Sequence, residues 1–283
     1  MKWYLYNMRC KPFVLLCLLL NFQHNAAKAR ECGFVDLSPS RCVVNATVEK
    51  KFENVYKENV WAHGKTFETD FLDTRHFYTY GDKNRFIKRP SQSGTGSYIG
   101  STEMMSALRF ISETVSNYSL TSMLDIPCGD VNWQMESAEI DLIDVYVGAD
   151  IVQKIVHNAA ERFRYHSNKH FIQWDLASCV VPKLSTVYGD KRPFDLIIVK
   201  EMLQHIPLKD ARQAARHLKR SGARFVIATT WQNVIENRNI EAGEWYPNNL
   251  ELPPFNFPAA TKCVPQGTAS ICLYNFENLR QEM

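Results

Sequence analysis

Hydrophobic and polar positions past residue 120 follow the pattern of alternating strands and helices. Short apolar runs predict strands at 123–126, 145–149, 170–173, 194–199, 224–229 and 271–275. Apolar residues that recur at helical spacing predict helices over 151–164 and 208–220. The run Leu196-Ile-Ile-Val199 has no polar alternation, which is typical of the buried middle of a parallel sheet. This order predicts an α/β fold with helices on both faces of the sheet.

Upstream of residue 120 the pattern is helical or irregular. Helical spacing runs from Val48 to Val60, and a second helix is predicted from about Thr102 to Ser116. The stretch 65–89 is polar and aromatic without a period, which favours a loop or a cover. The chain is therefore divided into a leader at 1–29, an N-terminal segment of cysteine loop, helix and cover at 30–101, and a main domain at 102–283.

The leader has the features of a secretory signal peptide. Lys2, Arg9 and Lys11 precede an apolar run at 12–20, and Ala27-Lys28-Ala29 has the small-x-small form of a cleavage site. The apolar run is about half of the roughly 20 residues that a spanning helix needs. We expect cleavage and a secreted or lumenal protein without a stable membrane span. A type II membrane anchor is the alternative.

Charge and sequons bear on the partners of the rest of the chain. Four of the 33 Lys and Arg residues and none of the 30 Asp and Glu residues lie in the leader, so the remainder is close to neutral. It has no basic run that could bind a phosphate backbone, which disfavours nucleic acid as a partner. Asn45-Ala-Thr47 and Asn117-Tyr-Ser119 are glycosylation sequons, usable in a secretory compartment.

Six cysteines follow the leader: Cys32, Cys42, Cys128, Cys179, Cys263 and Cys272. An oxidising compartment favours disulfides. Short loops favour Cys32 with Cys42 and Cys263 with Cys272, and the other two cysteines are interpreted as small buried hydrophobic residues. No C-x-x-C pair and no His cluster at ligand spacing occurs in the sequence, so no metal site is predicted.

Two strands end in acidic turns. Ser122 to Asp130 is an apolar strand that runs into a tight turn, and a second strand, Val145 to Ala149, is followed by Asp150. A carboxylate that closes the second strand of an α/β sheet can accept hydrogen bonds from both hydroxyls of a ribose, so a nucleoside site is predicted. The dinucleotide pattern needs three glycines, whereas only Gly129 is present here, which disfavours NAD.

These motifs resemble those of the class I S-adenosylmethionine-dependent methyltransferases. The matching segments are Met123-Leu-Asp-Ile-Pro-Cys-Gly-Asp130, Val147-Gly-Ala-Asp-Ile151 and Asp195 to Ile206. Gly94 and Gly96 in the Ser/Gly segment, Thr102 and the stretch Asn248 to Pro258 resemble a subgroup with an Asp-x-Pro-Cys-Gly-Asp turn. The resemblance implies a Rossmann-like sheet, S-adenosylmethionine as cofactor and methyl transfer as the activity.

The resemblance also implies roles for residues at the cofactor. Asp125 lies beneath the amino-acid part of the cofactor, or alternatively only holds the turn. Gly129 and Asp130 form that turn, and Asp150 binds the ribose unless it merely caps the next helix. The Ser/Gly segment can wrap the cofactor's carboxylate with backbone amides or serve as a linker. Asp175 is placed at the adenine amino group, with a helix cap or turn as the alternative.

The loop after the fourth strand, Lys200 to His205, is expected beside the transferred methyl group. His205 is the candidate catalytic base, because an imidazole titrates near working pH. Glu201 is a second catalytic candidate in the same loop. The alternative is that His205 caps the next helix or packs on the cofactor. Trp133 either covers the sulfonium or belongs to the core.

The acceptor is interpreted from the segment after the fifth strand. Amides in Asn248 to Pro258 suit a hydroxyl-bearing acceptor, and Trp231, Trp245 and Tyr246 can stack on a sugar ring. A rigid surface loop is the alternative. The hypothesis is O-methylation of a glycan or hydroxylated small molecule. Its rival is a secreted binding protein that keeps the fold without turnover, because S-adenosylmethionine is made in the cytosol. A nicotinamide oxidoreductase comes third, and a hydrolase is disfavoured because no G-x-S-x-G elbow occurs.

Overall fold

The computed structural model describes residues 42–58, 60–61, 91–185 and 192–277. The predicted signal peptide at 1–29 and the predicted cover at 65–89 lie outside these residues, so both stay predictions. Among the residues described, no helix combines the length and apolar character needed to cross a bilayer.

A seven-stranded sheet forms the centre of the described fold, in the order β3-β2-β1-β4-β5-β7-β6. The strands are β1 Ser122–Asp125, β2 Val145–Asp150, β3 Lys169–Gln173, β4 Leu196–Val199, β5 Phe225–Thr230, β6 Lys262–Gln266 and β7 Ala269–Asn275. The first five strands run parallel, whereas β7 is antiparallel to β5 and β6 antiparallel to β7. The order 3-2-1-4-5 is that of a doubly wound sheet, which confirms the predicted Rossmann-like α/β fold.

The six predicted strands are all present, with ends within two residues of the prediction. The sequence pattern missed β6. This strand is a partly exposed edge strand that contains Pro265, so it lacks both a continuous apolar run and a clear alternation. Pairing with β7 forms it, and Cys263 lies opposite Cys272 in the register.

The helices are α1 Ala46–Lys57, α2 Thr102–Asn117, α3 Ala138–Asp141, α4 Gln153–Arg162 and α5 Leu208–Lys219. The predicted helix at 48–60 begins earlier because the Asn45 side chain caps it and accepts hydrogen bonds from the amides of Thr47 and Val48. The Ser101 hydroxyl caps α2 at the amide of Met104. The short α3 was not predicted.

Alternate residues of β4 pack on opposite faces of the sheet, as the period of two requires. Leu196 and Ile198 belong to the core beneath α2, whereas Ile197 and Val199 belong to the core that includes α1, α4 and α5. On this second face Phe52 and Tyr56 of α1 are buried with the strands. The N-terminal helix therefore shares a core with the sheet.

Two disulfides are present among the described residues, Cys42–Cys179 and Cys263–Cys272. The second was predicted and is confirmed. The predicted pairing of Cys32 with Cys42 is wrong, as is the interpretation of Cys179 as a free buried residue, because Cys42 bonds to Cys179 over a separation of 137 residues. Folding brings the start of α1 to the loop after β3, a proximity that spacing along the chain does not reveal. Cys128 is a buried free thiol, as predicted.

Candidate functional site

A pocket lies at the carboxyl ends of the strands, where β1, β2 and β4 adjoin. Its floor is the turn Ile126–Gly129 together with Asp150, and the loop from Lys200 to Ile206 forms one side. Residues of α1 and the segment after it form a further wall, which adjoins this loop where Trp61 meets His205: Val48, Phe52, Tyr56 and Trp61. Ligands of doubly wound sheets bind at this edge, where the connections from β1 and β4 leave in opposite directions.

Asp150 lies on the pocket wall at the end of β2 and is 2% exposed. Its two carboxylate oxygens accept hydrogen bonds from the amides of Gly129, at 3.2 Å, and Val152, at 2.9 Å. Burial raises the pKa of Asp150 to about 6, although these amide donors favour the charged form. The N-cap of α4 is Val152, so the alternative role of Asp150 as helix cap is not what the structure shows. The Ile151 amide also stabilises the charged carboxylate, so three of its roughly four acceptor positions face backbone amides and about one is left for a ligand.

The turn after β1 is closed against the Ser/Gly segment. Gly129 has a φ of 56°, and a Cβ there would lie 2.2 Å from the Ser93 hydroxyl oxygen, so only glycine fits. The Asp130 carboxylate accepts hydrogen bonds from the hydroxyls of Ser91 and Ser93 and from the amide of Gln92. Asp130 therefore fastens the Ser/Gly segment to the turn and does not line the pocket.

Gly94, Gly96 and Thr102 are not among the pocket-lining residues. Gly94 has a φ of 96°, and a Cβ there would lie 2.9 Å from the Cβ of Trp61. The carbonyl of Gly96 accepts a hydrogen bond from the Lys200 ammonium at 2.7 Å. Thr102 is exposed at the start of α2. The Ser/Gly segment thus packs between α1 and the loop after β4, with Ser93 and Ser97 at the pocket.

Asp125 ends β1 beneath the pocket and is fully buried. Its Oδ2 accepts hydrogen bonds from the Gln134 amide at 2.7 Å and the Tyr146 hydroxyl at 2.8 Å. Its Oδ1 is buried without a hydrogen-bond partner. Burial raises the pKa of Asp125 to about 6, against the effect of both donors. An orphaned carboxylate oxygen at this depth marks a place for a water or for a polar group of a ligand.

Asp175 lines the pocket, but donors of the protein itself fill its carboxylate. Its Oδ1 accepts hydrogen bonds from the amides of Ala177 and Ser178, and its Oδ2 accepts from the Ser178 hydroxyl and the Asn45 amide. These four hydrogen bonds use the whole acceptor capacity of a carboxylate. The structure therefore supports the alternative role, a turn residue that also holds the start of α1. The predicted contact with an adenine amino group finds no acceptor position left on Asp175.

Glu201 lines the pocket in a strained backbone conformation with a φ of 56°. Its amide donates to the Thr229 hydroxyl, and its carboxylate accepts hydrogen bonds from that hydroxyl and from the Gln204 side chain. Non-glycine residues in this region concentrate at functional sites, where the surrounding structure compensates the strain. These contacts hold the loop in shape, and the role of Glu201 as a second catalytic candidate stays a prediction.

His205 is half-buried on the pocket wall, with its ring 5.0 Å from that of Trp61. Its Nδ1 lies 3.0 Å from the carbonyl oxygen of Glu244. A carbonyl only accepts, so Nδ1 carries the proton and Nε2 presents a lone pair. Burial lowers the pKa of His205, and the Glu244 hydrogen bond opposes this shift without cancelling it. The ring is therefore neutral at neutral pH and suited to accept a proton.

The segment after β5 orients this histidine. The amides of Gly243 and Tyr246 donate to the carbonyls of His205 and Gln204. Two side-chain amides of the Asn248–Pro258 stretch donate hydrogen bonds to backbone carbonyls of the protein. The Asn248 side chain donates to the Leu203 carbonyl, and the Asn249 side chain donates to the carbonyls of Gln232 and Val234. The alternative of a rigid loop is thus supported for this stretch.

Three tryptophans predicted to contact a ligand lie within the described residues: Trp133, Trp231 and Trp245. Trp231 is buried against Trp245, which is itself half-exposed, and neither lines the pocket. Trp133 is buried and also lines the pocket, so it belongs to the core, and its role in covering the sulfonium stays a prediction. The sequence pattern did not predict that Tyr56 and Trp61 line the pocket. The helical spacing of α1 showed a packed face, but the pattern could not tell a core contact from a pocket wall.

Comparisons with known proteins give structural likenesses only. No family model and no curated protein matches the chain. The magnesium protoporphyrin IX methyltransferase of Synechocystis PCC 6803, solved with bound SAM, aligns with a TM-score of 0.48 and 16% identity over 82% of this chain and 99% of that one. The PH0226 protein of Pyrococcus horikoshii OT3 aligns with a TM-score of 0.45 and 18% identity over 62% and 92%.

A bacterial methyltransferase domain, CtHen1-C, aligns with a TM-score of 0.37 and 16% identity over 46% of this chain and 66% of that one. This chain thus spans about two thirds of that domain. At such identities and TM-scores, the likenesses carry no conclusion about activity or substrate. What the chain itself establishes is a seven-stranded Rossmann-like fold with a pocket at the carboxyl ends of β1, β2 and β4.

Proposed function

We propose that this protein is an S-adenosylmethionine-dependent methyltransferase that methylates a hydroxyl group of a glycan or hydroxylated small molecule in the secretory pathway. The observation that carries the proposal is the Asp150 carboxylate, buried on the pocket wall at the end of β2 with acceptor capacity left. A hydroxyl of a ribose matches this remaining capacity.

The pocket residues fit the donor at both of its ends. Asp150 would hold the ribose, and Gly129 lines the pocket beside it. Asp125 ends β1 and does not line the pocket, so its orphaned Oδ1 can reach the donor's amino group only through a bridging water. Trp174 and Ile151 offer apolar surface for a base next to Asp150.

The bound donor supplies a methyl group on a sulfonium, which is a good leaving group. The chain's own contribution is to align the acceptor with that methyl group and to remove a proton. His205 is the candidate for proton removal because Nε2 carries the lone pair and the ring stays neutral. The hydrogen bond from Nδ1 to the Glu244 carbonyl fixes the orientation of the ring, and therefore also the direction of the Nε2 lone pair.

The compartment and the acceptor are supported by separate observations. Two disulfides in the described chain are typical of an oxidising compartment. The pocket wall of Phe52, Tyr56 and Trp61, whose Trp61 ring adjoins that of His205, offers aromatic faces, which pack well on the apolar face of a sugar ring.

Binding of the donor tests the proposal first. The mature chain, produced in a secretory host, is titrated with S-adenosylmethionine and S-adenosylhomocysteine by calorimetry, with NAD as a comparison ligand. Asp150→Asn is expected to weaken binding of both adenosyl ligands by about 10- to 100-fold, the worth of hydrogen bonds to a charged group. Asp144→Asn, at the exposed opposite end of β2, is the matched control and is expected to bind normally.

Transfer of label from methyl-labelled donor to glycans and hydroxylated extracts tests the activity itself. Donor binding that depends on Asp150, together with label transfer that depends on His205, supports the enzyme. Donor binding without transfer to any acceptor would favour the non-catalytic binding protein. Absence of donor binding at millimolar concentration would refute the proposal outright.

A further inference from the structure

Lys200 is a buried cation on the pocket wall whose hydrogen-bonding capacity the protein only partly uses. It follows β4 directly, is 5% exposed and lines the pocket. Its ammonium donates to the Gly96 carbonyl at 2.7 Å and lies 5.9 Å from the centre of the Trp133 ring. An ammonium has three donors, so the Gly96 carbonyl accounts for one of them.

The neighbouring carboxylates do not form an ion pair with Lys200 in the described structure. Glu201 and Asp125 lie near enough to favour the charged ammonium, and burial alone lowers the pKa of Lys200. However, the Glu201 carboxylate is held by Thr229 and Gln204, and Asp125 directs Oδ2 to other partners. A buried ammonium is costly unless acceptors compensate it, so the remaining donors of Lys200 call for an anionic group.

The proposed function supplies one such group. S-adenosylmethionine carries a sulfonium, which an ammonium repels, and an α-carboxylate, which an ammonium attracts. A lysine at the methyl group would therefore oppose binding, whereas one at the amino-acid end would favour it. Lys200 and the orphaned Oδ1 of Asp125 provide opposite charges on neighbouring strands, which complement the carboxylate and the amino group of that end.

We propose that Lys200 binds the α-carboxylate of the methyl donor and thereby sets the position of its amino-acid end. This inference rests on the proposed function. It makes Lys200 a binding residue with no part in proton transfer.

The test pairs one variant with one ligand change. Wild type and Lys200→Met are titrated by calorimetry with S-adenosylhomocysteine and with its decarboxylated analogue, S-adenosyl-3-thiopropylamine. Lys200→Met is expected to weaken binding of S-adenosylhomocysteine by about 10- to 100-fold and to leave binding of the analogue nearly unchanged. The matched control is Lys219→Met, because Lys219 also donates to one backbone carbonyl, that of Phe255, away from the pocket.

The outcomes separate this inference from the proposed function. Equal weakening of both ligands would show that Lys200 only supports the fold, and unchanged binding of S-adenosylhomocysteine would show that its carboxylate lies elsewhere. Either result overturns the inference while the adenosine site stands. If wild type binds neither ligand, the proposed function fails as well. If Lys200→Met does not fold, wild type decides: it must bind the carboxylated ligand more tightly than the analogue by the same factor.

Discussion

Removal of the Cys42–Cys179 disulfide should cost far more stability than removal of Cys263–Cys272. In the first variant both cysteines become serine, and in the control variant the second pair is replaced in the same way. Both pairs lie within the described fold and each bond joins a buried or partly buried pair. The variants therefore differ mainly in the length of chain that the bond closes, 137 against 9 residues.

The magnitudes follow from loop-closure entropy in the unfolded chain. Closing a loop of 137 residues stabilises the fold by about 5 kcal/mol at 25 °C, and closing one of 9 residues by about 2.5 kcal/mol. The expected difference is about 2.5 kcal/mol. Since whole domains are stable by about 5–15 kcal/mol, the first variant should lose a large fraction of its stability.

Urea unfolding under non-reducing conditions, followed by tryptophan fluorescence, measures both variants against wild type. Equal losses, or a larger loss for the Cys263–Cys272 variant, would refute the loop argument. The same variants also probe the site, because Cys42 precedes α1, whose residues line the pocket. Binding of S-adenosylhomocysteine by the folded fraction should weaken when Cys42–Cys179 is removed and stay unchanged when Cys263–Cys272 is removed.

Three further changes test the site. His205→Gln should lower methyl transfer and leave donor affinity unchanged in calorimetry; a parallel fall in affinity would contradict the base role. Donor affinity of wild type, measured from pH 5 to 8, should fall as the pH drops below about 6, because Asp150 and Asp125 have a pKa of about 6 and protonation removes their acceptor charge. A flat profile would exclude both carboxylates from the site. Gly129→Ala should destabilise the fold by about 1–3 kcal/mol in urea, because of its positive φ and the clash with Ser93. Ser93→Ala in the same chain should recover part of that loss.

Local sequence patterns predicted six of the seven strands and the main helices. The faces of α4 and α5 showed as helical spacing, and Leu196 to Val199 showed as an unbroken apolar run because both faces of that strand are buried. The position of Asp150 followed from the same logic, because parallel strands end at one edge of a sheet. Six strands and the pocket-lining positions of Gly129 and Asp150 were predictable on these grounds.

Contacts between residues that are distant in sequence became visible in the tertiary structure alone. Cys42 joins Cys179 and α1 becomes a pocket wall because packing brings the start of that helix to the loop after β3. The Asp175 carboxylate is filled by three local donors and by the distant Asn45 amide, whereas Asp150 keeps acceptor capacity, although both lie at the ends of strands. A residue's type fixes how many hydrogen bonds it can make. Which of them the protein itself uses depends on neighbours that are distant in sequence, and spacing along the chain carries no record of them.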